Sequence, residues 1–347
     1  MNTRVRKLLD LMKEKGIDTL FITDENNMYY YSGFYKGEGY LVINSKRLCV
    51  VTDSRYTEYA SYACKGFDVV NIASCSPEDF VSDGDICAFE DMSISYAMYM
   101  KFASKIKDIK PIGNMANELR QIKDENEINL IKQAAHIADK AFEHICSYIA
   151  PGISEKQIAS EIDCFMKKNG AEDSSFTTIA ASGTRASLPH AIPTDARLKK
   201  GDFIVLDYGC VIDGYRSDMT RTVAVGSITD EKKEIYEAVL NAQLLSLNHL
   251  KAGVSAYEVD KVARDYLDSL YKGAFSHSLG HGVGLCIHES PNLSPKNNVP
   301  LKNGMVVTVE PGIYLEGNTG VRIEDLTVVR NDGCEILSHS PKKLIVL

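Results

Sequence analysis

The sequence lacks three features that would point to a membrane, an oxidising compartment or a nucleic acid. No run approaches the roughly 18 apolar residues of a membrane-spanning helix, and residues 1–10 become charged before a signal-type stretch develops. The nine cysteines are scattered singly with no Cys-x-x-Cys pair, which is typical of reduced thiols. The net charge of −8 argues against a nucleic-acid partner. We therefore expect a cytoplasmic protein with no membrane span.

A phosphate-binding loop is also missing. The glycine-rich run 280–284 is not followed by Gly-Lys-Ser/Thr, and no dinucleotide fingerprint is present. Glycines on both sides of His281 instead let the backbone approach a ligand closely. The surrounding segment, residues 276–290, holds three of the eight histidines of the chain, namely His277, His281 and His288.

What the sequence does contain is a repeat, in which residues 198–209 resemble residues 301–312. Each copy is an apolar, strand-prone run that includes an acid near its end, and each is followed by a turn and a second strand with another acid. The four acids are Asp207, Asp218, Glu310 and Glu324.

The turns predict how these acids are arranged. Asp213-Gly214 predicts a two-residue type I′ turn, which places Asp207 opposite Thr220. Asp207 and Asp218 then become diagonal neighbours on one face, roughly 7 to 8 Å apart at Cα.

In the second hairpin the loop 316–320 predicts pairing of residue 315 with 321, which places Gly312 opposite Glu324. Glu310 and Glu324 would then form the same diagonal.

Four acids on apolar hairpins are costly to bury unless cations or protons neutralise them. One acidic pair alone would more often be a solvated edge, but two pairs at matching places in a repeat favour a metal site. Imidazole beside carboxylates suits manganese, iron, cobalt or zinc. His281 is the first candidate and His190 a further one, for which a structural role is the alternative.

The five residues Asp207, Asp218, His281, Glu310 and Glu324 carry a resemblance to a known family. Together with Ser-Asp-Met-Thr-Arg-Thr, Val-Glu-Pro-Gly and Arg-Ile-Glu-Asp around three of them, they resemble the Xaa-Pro peptidases, relatives of aminopeptidase P, prolidase and methionine aminopeptidase. The match spans residues 125–347 in family order. Its one departure, Met219 in place of isoleucine, conserves volume.

The resemblance implies an α/β fold in two domains. Residues 1–120 would form a creatinase-like mixed α/β domain, and residues 121–347 a pita-bread catalytic domain built from a duplicated α+β unit. Capping boxes at Ser154 and Ser255 support the duplication, because each opens a helix that follows a longer one.

The resemblance also implies two divalent ions, with manganese preferred over cobalt, zinc or iron. Asp207 would bind one ion, His281 and Glu310 mainly the other, and Asp218 and Glu324 would bridge them. Two bridged ions lower the pKa of a shared water, which then attacks a peptide carbonyl as hydroxide.

The remaining roles come from the same resemblance. His288 would contact the substrate carbonyl, His190 would support the leaving group, and Glu310 would carry the proton to the departing nitrogen. His277 and Arg322 would line the substrate pocket, with a contact to Glu324 as the alternative for Arg322.

The implied function is a metallopeptidase, an exopeptidase that cuts before proline in dipeptides and short peptides, and the resemblance implies a homodimer. A strict Xaa-Pro dipeptidase is the alternative, although Asn292 stands where some dipeptidases carry arginine and Lys296 is the only cation nearby. Methionine aminopeptidases usually lack a domain like residues 1–120. A non-enzymatic module or metal-independent, creatinase-like chemistry would not require all five ligands.

Overall fold

The computed structural model describes residues 2–347. The chain divides into two compact units, Met1–Arg120 and Gln121–Leu347. Among the described residues, no helix combines the length and the apolar character that crossing a bilayer requires.

The first unit is a helix-flanked mixed sheet. Its elements are α1 (Thr3–Glu14), β1 (Thr19–Ile22), α2 (Glu25–Ser32), β2 (Gly39–Asn44), β3 (Leu48–Thr52), α3 (Thr57–Ala63), β4 (Asp68–Asn71), β5 (Cys87–Phe89), α4 (Tyr96–Ala103), β6 (Ile109–Pro111) and α5 (Met115–Glu118). The six strands lie in the order β4-β3-β2-β1-β5-β6. Phe102 packs on Phe21 and Tyr40 with ring centroids 4.8 and 5.4 Å apart, which centres a core beneath the sheet.

The second unit contains the predicted helix pairs. They are α6 (Glu125–Tyr148) with α7 (Glu155–Lys168), and α8 (Asp230–His249) with α9 (Ala256–Leu270). Both predicted capping boxes are present, because the Ser154 and Ser255 side chains accept from the backbone three residues on and Gln157 and Glu258 accept from the cap backbone.

The strands of the second unit form two main sheets beside shorter ribbons. They are β7 (Asp173–Ser174), β8 (Ile179–Ser182), β9 (Phe203–Tyr208), β10 (Cys210–Ile212), β11 (Tyr215–Arg216), β12 (Met219–Ala224), β13 (Gly280–Gly282), β14 (Glu289–Leu293), β15 (Val306–Val309), β16 (Gly312–Leu315), β17 (Thr319–Arg322), β18 (Asp325–Val329) and β19 (Cys334–Ile336). One sheet has the order β12-β9-β8 and the other β14-β13-β15-β18-β19.

The duplication is visible in two apolar cores. Helices α6 and α7 pack on β9 and β12 through residues such as Ile158 and Ile204, and helices α8 and α9 pack on β15 and β17 through residues such as Val259 and Val307. Met219 is buried in the first core, an apolar environment in which methionine and isoleucine are of similar volume.

The first hairpin has the predicted register. Asp213 and Gly214 both have positive φ, 47° and 79°, as a type I′ turn requires. Asp207 pairs with Thr220, so Asp207 and Asp218 are diagonal neighbours as expected.

The predicted register of the second hairpin is wrong by two residues. Leu315 pairs with Thr319 rather than with residue 321, since the loop has only three residues and Gly317 closes it with a φ of 69°. With Val309 opposite Asp325 on one side and Gly312 opposite Arg322 on the other, Glu310 and Glu324 face each other directly. Gly312 therefore does not lie opposite Glu324.

Gly209 provides a test of how closely the first hairpin is packed. A Cβ at Gly209 would overlap the carbonyl oxygen of Ser217, whereas a Cβ at Gly333 meets open space. We expect Gly209→Ala to lower the free energy of unfolding by about 2 kcal/mol or more, and Gly333→Ala to change it by less than about 0.5 kcal/mol. Urea unfolding of the two variants would measure this, and equal midpoints would contradict it.

Candidate metal centre

All nine residues predicted for the site line one cavity of about 500 Å³. They are His190, Asp207, Asp218, His277, His281, His288, Glu310, Arg322 and Glu324. Apolar side chains such as Phe176, Ile179 and Ile287 complete the wall. The sequence repeat therefore brings residues more than a hundred positions apart to one place.

The acids lie at the ends of strands and at breaks between them. Asp207 lies near the end of β9 and Asp218 immediately precedes β12, while Glu310 follows β15 and Glu324 immediately precedes β18. His281 is the central residue of β13, next to β15. Because the main strands of both hairpins are interrupted there, the carboxylates project into the cavity from positions that the apolar cores hold in place.

Three side chains come close enough to share an ion. One potential ligand atom from each of Asp218, His281 and Glu324 lies within 4.8 Å of the others. His281 Nε2 is also 3.3 Å from Glu310 Oε1 and 3.5 Å from Asp218 Oδ2. Glu310 therefore joins the cluster through the histidine.

Burial and mutual repulsion govern the charge of this cluster. Burial, followed by the neighbouring carboxylates, raises the pKa of Asp218 and of Glu324 well above the usual range. Burial, reinforced by Asp207, raises the pKa of Glu310 to about 7. Burial lowers the pKa of His281, which keeps its imidazole available as a neutral ligand. The four carboxylates therefore need nearby positive charge to be ionised together, and Arg322 supplies only part of it.

The residues present fit divalent cations. Asp207 Oδ1 and Glu324 Oε1 are both buried and have no hydrogen-bond partner, a costly state for a carboxylate oxygen. A cation at each would satisfy them. Carboxylates with one imidazole form a donor set suited to manganese, iron, cobalt or zinc.

Arg322 contacts Asp207 rather than Glu324. Its Nη2 lies 2.6 Å from Asp207 Oδ2, and its Nε donates to the Thr220 hydroxyl at 3.0 Å. Thr220 in turn donates to Glu324 Oε2 at 2.7 Å. The contact with Glu324 that was the alternative for Arg322 is therefore indirect and passes through Thr220.

Sequence reasoning missed Thr220, Thr308 and Tyr314. The Thr308 hydroxyl accepts from the His281 backbone N–H and donates to Glu310 Oε1, both at 3.0 Å. The Tyr314 hydroxyl accepts from Arg322 Nη1 at 2.8 Å and lies 2.9 Å from His277 Nε2. Threonine and tyrosine are common in strands, so no local pattern distinguished them.

The histidines differ in their surroundings. Burial, reinforced by Arg322, lowers the pKa of His277 to about 4, so this side chain is neutral. His288 packs edge-on against His281 with ring centroids 4.3 Å apart. His190 and His288 are exposed at the cavity, where a substrate could reach them.

The two residues considered for substrate length lie in different places. Asn292 lines the cavity, whereas Lys296 is exposed and is not among the lining residues. Among the described residues that line the cavity, Arg322 is the single lysine or arginine. Its N–H groups already donate to Asp207, Thr220, Tyr314 and the Pro189 carbonyl.

Comparison with known proteins identifies relatives along the whole chain. Residues 129–331 match metallopeptidase family M24, and residues 4–122 match the creatinase/prolidase N-terminal domain. A Bacillus subtilis protein described as an uncharacterized peptidase is 42% identical, over 99% of this chain and 100% of that protein. An Xaa-Pro dipeptidase of Pyrococcus furiosus is 38% identical over the same shares.

Solved structures agree with these matches. An Xaa-Pro dipeptidase from Bacillus anthracis superimposes with a TM-score of 0.96 at 41% identity, covering 99% of each chain. An X-Pro aminopeptidase from Thermotoga maritima gives a TM-score of 0.90 at 38% identity, covering 99% of this chain and all of that one. The predicted α/β fold, a creatinase-like domain followed by a pita-bread domain, is confirmed.

The arrangement of ligands predicts a specific metal content. Dialysis against manganese should leave two ions per chain, and Asp218→Ala or Glu324→Ala should reduce this number, because the family resemblance implies that each of these carboxylates would be shared by both ions. Bound metal should also raise the unfolding temperature, since it binds the folded state alone. Elemental analysis with calorimetry would measure both, with Lys296→Ala as the control. Two tightly held ions in Glu324→Ala would contradict the arrangement.

Proposed function

Since the chain belongs to metallopeptidase family M24, we propose that it is an exopeptidase that cuts the bond between an N-terminal residue and proline. The substrates would be Xaa-Pro dipeptides and short peptides with proline in second position. The observation that carries the proposal is the convergence of four carboxylates and His281 in one cavity. The names of the relatives, both dipeptidase and aminopeptidase, support the substrate class.

Asp207, Asp218, His281, Glu310 and Glu324 would hold two divalent ions, manganese first and cobalt, zinc or iron as alternatives. When bound, such ions lower the pKa of a water and make it a nucleophile at neutral pH. Asp207 would serve one ion, His281 and Glu310 mainly the other, and Asp218 and Glu324 both.

Glu310 would take a proton from the attacking water and return it to the departing nitrogen. Burial raises the pKa of this carboxyl to about 7 when no ion is bound, and a bound cation would favour its charged form, which can accept a proton. Thr308 holds one oxygen of this carboxylate in a fixed direction, so the other oxygen can face the substrate.

The histidines would bind and orient the substrate. His288 would donate to the scissile carbonyl, where negative charge develops, and His190 would lie on the side of the leaving proline. His277 and Arg322 would shape the pocket, joined through the Tyr314 hydroxyl. Apolar lining residues such as Phe176 and Ile179 suit a proline ring.

Other activities of related proteins fit less well. The N-terminal unit with its creatinase/prolidase match counts against a methionine aminopeptidase. The complete set of five candidate metal ligands counts against a non-enzymatic module and against metal-independent, creatinase-like chemistry.

Strict dipeptidase activity is the second candidate, favoured by the names of several relatives. A strict dipeptidase needs a cation that captures the proline carboxylate, usually through the fork of an arginine. Asn292 offers no charge, Lys296 lies outside the cavity lining, and Arg322 is engaged by protein acceptors. We therefore favour cleavage of longer Xaa-Pro peptides together with dipeptides.

The test is hydrolysis of Ala-Pro, Ala-Pro-Ala and a longer Xaa-Pro peptide in a metal series. Chelation should abolish activity, manganese or cobalt should restore it, and kcat/KM should be measurable for all three peptides. Full activity of extensively dialysed, metal-free protein would contradict a metal-dependent mechanism.

The matched control for substrate length is Lys296→Ala, which should leave the three kcat/KM values unchanged. If only Ala-Pro turns over, and Lys296→Ala removes that activity, the chain is a strict dipeptidase and Lys296 captures the carboxylate.

A homodimer and a cytoplasmic location complete the proposal. The family resemblance supports the dimer, and the nine free cysteines support a reducing compartment. Light scattering at micromolar concentration should give twice the chain mass, and cell fractionation should place the protein in the cytosol. A fully active monomer would exclude a functional need for the dimer.

A further inference from the structure

A cluster of charged side chains lies buried behind the cavity, at the junction of β12 and β18. Arg221 and Asp325 are 1% and 0% exposed, and Arg221 Nη2 lies 2.7 Å from Asp325 Oδ1. Lys342 Nζ and Gln243 Nε2 approach the other oxygen, Oδ2, at 2.6 and 2.8 Å. The carboxylate is thus held by two cations and an amide.

Arg221 uses all five of its N–H groups. Nη1 donates to the carbonyl oxygen of Thr220 at 2.9 Å and to that of Glu324. Nε and Nη2 both donate to the carbonyl oxygen of Ser340, at 3.2 and 2.9 Å. The fifth N–H donates to Asp325, so the guanidinium has no free donor.

The position of these carbonyl groups links the pair to the metal centre. Thr220 lies two residues after Asp218, and the backbone N–H of Glu324 donates to the Thr220 carbonyl at 3.1 Å. Strand β12 belongs to the sheet of the first repeat and β18 to that of the second. The Arg221 side chain therefore joins β12 to β18. Asp218 immediately precedes β12 and Glu324 immediately precedes β18, and these are the two acids proposed to be shared by both ions.

We propose that Arg221, oriented by Asp325, is a positioning residue that sets the spacing between the Asp218 and Glu324 backbones. The inference rests on the ligand set of the proposed function. The five donors of a guanidinium are fixed in a planar fork that holds carbonyl groups of both strands at set angles, whereas a lysine ammonium has three donors without that fixed geometry.

Stability alone is a poor explanation for this pair. The free-energy cost of removing two charged groups from water is about as large as the gain from their attraction. Apolar side chains of similar volume therefore often stabilise the folded state as well as a buried ion pair does. Groups that orient metal ligands, in contrast, typically change metal affinity about 10- to 100-fold when they are altered. The expected consequence of losing Arg221 is therefore weaker metal binding by folded protein.

The experiment compares variants of the full chain. Arg221→Met, Arg221→Lys and Asp325→Asn are titrated with Mn²⁺ against a competing chelator, well below their unfolding temperatures, and folding is verified by circular dichroism. We expect each to bind manganese about 10- to 100-fold more weakly than the wild type. Paramagnetic resonance should show less coupling between paired ions.

Lys342→Met is the matched control. This variant removes a cation from the Asp325 carboxylate. Lys342 donates to the side chains of Gln243 and Asp325 and not to the β12 or β18 carbonyl groups that Arg221 holds. The variant should therefore bind manganese with wild-type affinity, even if it unfolds at a lower temperature. Arg221→Lys retains the charge and covers the case in which Arg221→Met does not fold.

Two results would overturn the inference. One is a folded Arg221→Lys or Arg221→Met that binds two ions with unchanged affinity. The other is an equal loss of affinity in Lys342→Met, because the effect would then follow charge or stability rather than the carbonyl contacts. A wild-type chain that binds no manganese would instead refute the proposed function itself.

Discussion

The repulsion among four clustered carboxylates, two of them buried and two partly exposed, is the constraint on which the second unit depends. Asp218 and Glu324 are nearly inaccessible to water, and neighbouring carboxylates add to the cost of ionising each of them. A protein can hold such a group only with rigid supports and a source of positive charge. The apolar helix pairs supply the support from both sides, and Arg322 supplies part of the charge.

Some of the polar side chains around the acids orient the carboxylates, and others supply positive charge. Thr220 and Thr308 each donate to one carboxylate oxygen, which fixes orientation without adding charge. Arg322 sits on the cavity side and neutralises Asp207. Arg221 lies behind the same strands and is neutralised in turn by Asp325. Positive charge is therefore present on both faces of β12, and of these two arginines Arg322 is the one that forms an ion pair with an acid of the cavity.

How far the sequence predicts this arrangement depends on the range of the interactions. Asp213-Gly214 determines the first register because few conformations allow two residues with positive φ to close a turn. The loop after Leu315 allows several closures, and the choice of a three-residue turn at Gly317 depends on packing that no local pattern reveals. The acids were found because they recur in a repeat. Thr308 and Arg221 were not, since the contacts that link them to other elements, with His281 and with Ser340, span 27 and 119 positions.

The glycine that follows each strand acid is used differently in the two halves of the repeat. Gly209 lies two residues after Asp207 and Gly312 two residues after Glu310, so both halves leave room at this position. In the first half the Ser217 backbone fills that room, whereas in the second half the Tyr314 ring does. The same space is thus filled by backbone in one half and, in the other, by a phenol that reaches Arg322 and His277. One position of the repeat therefore closes a hairpin in the first half and braces two cavity-lining side chains in the second.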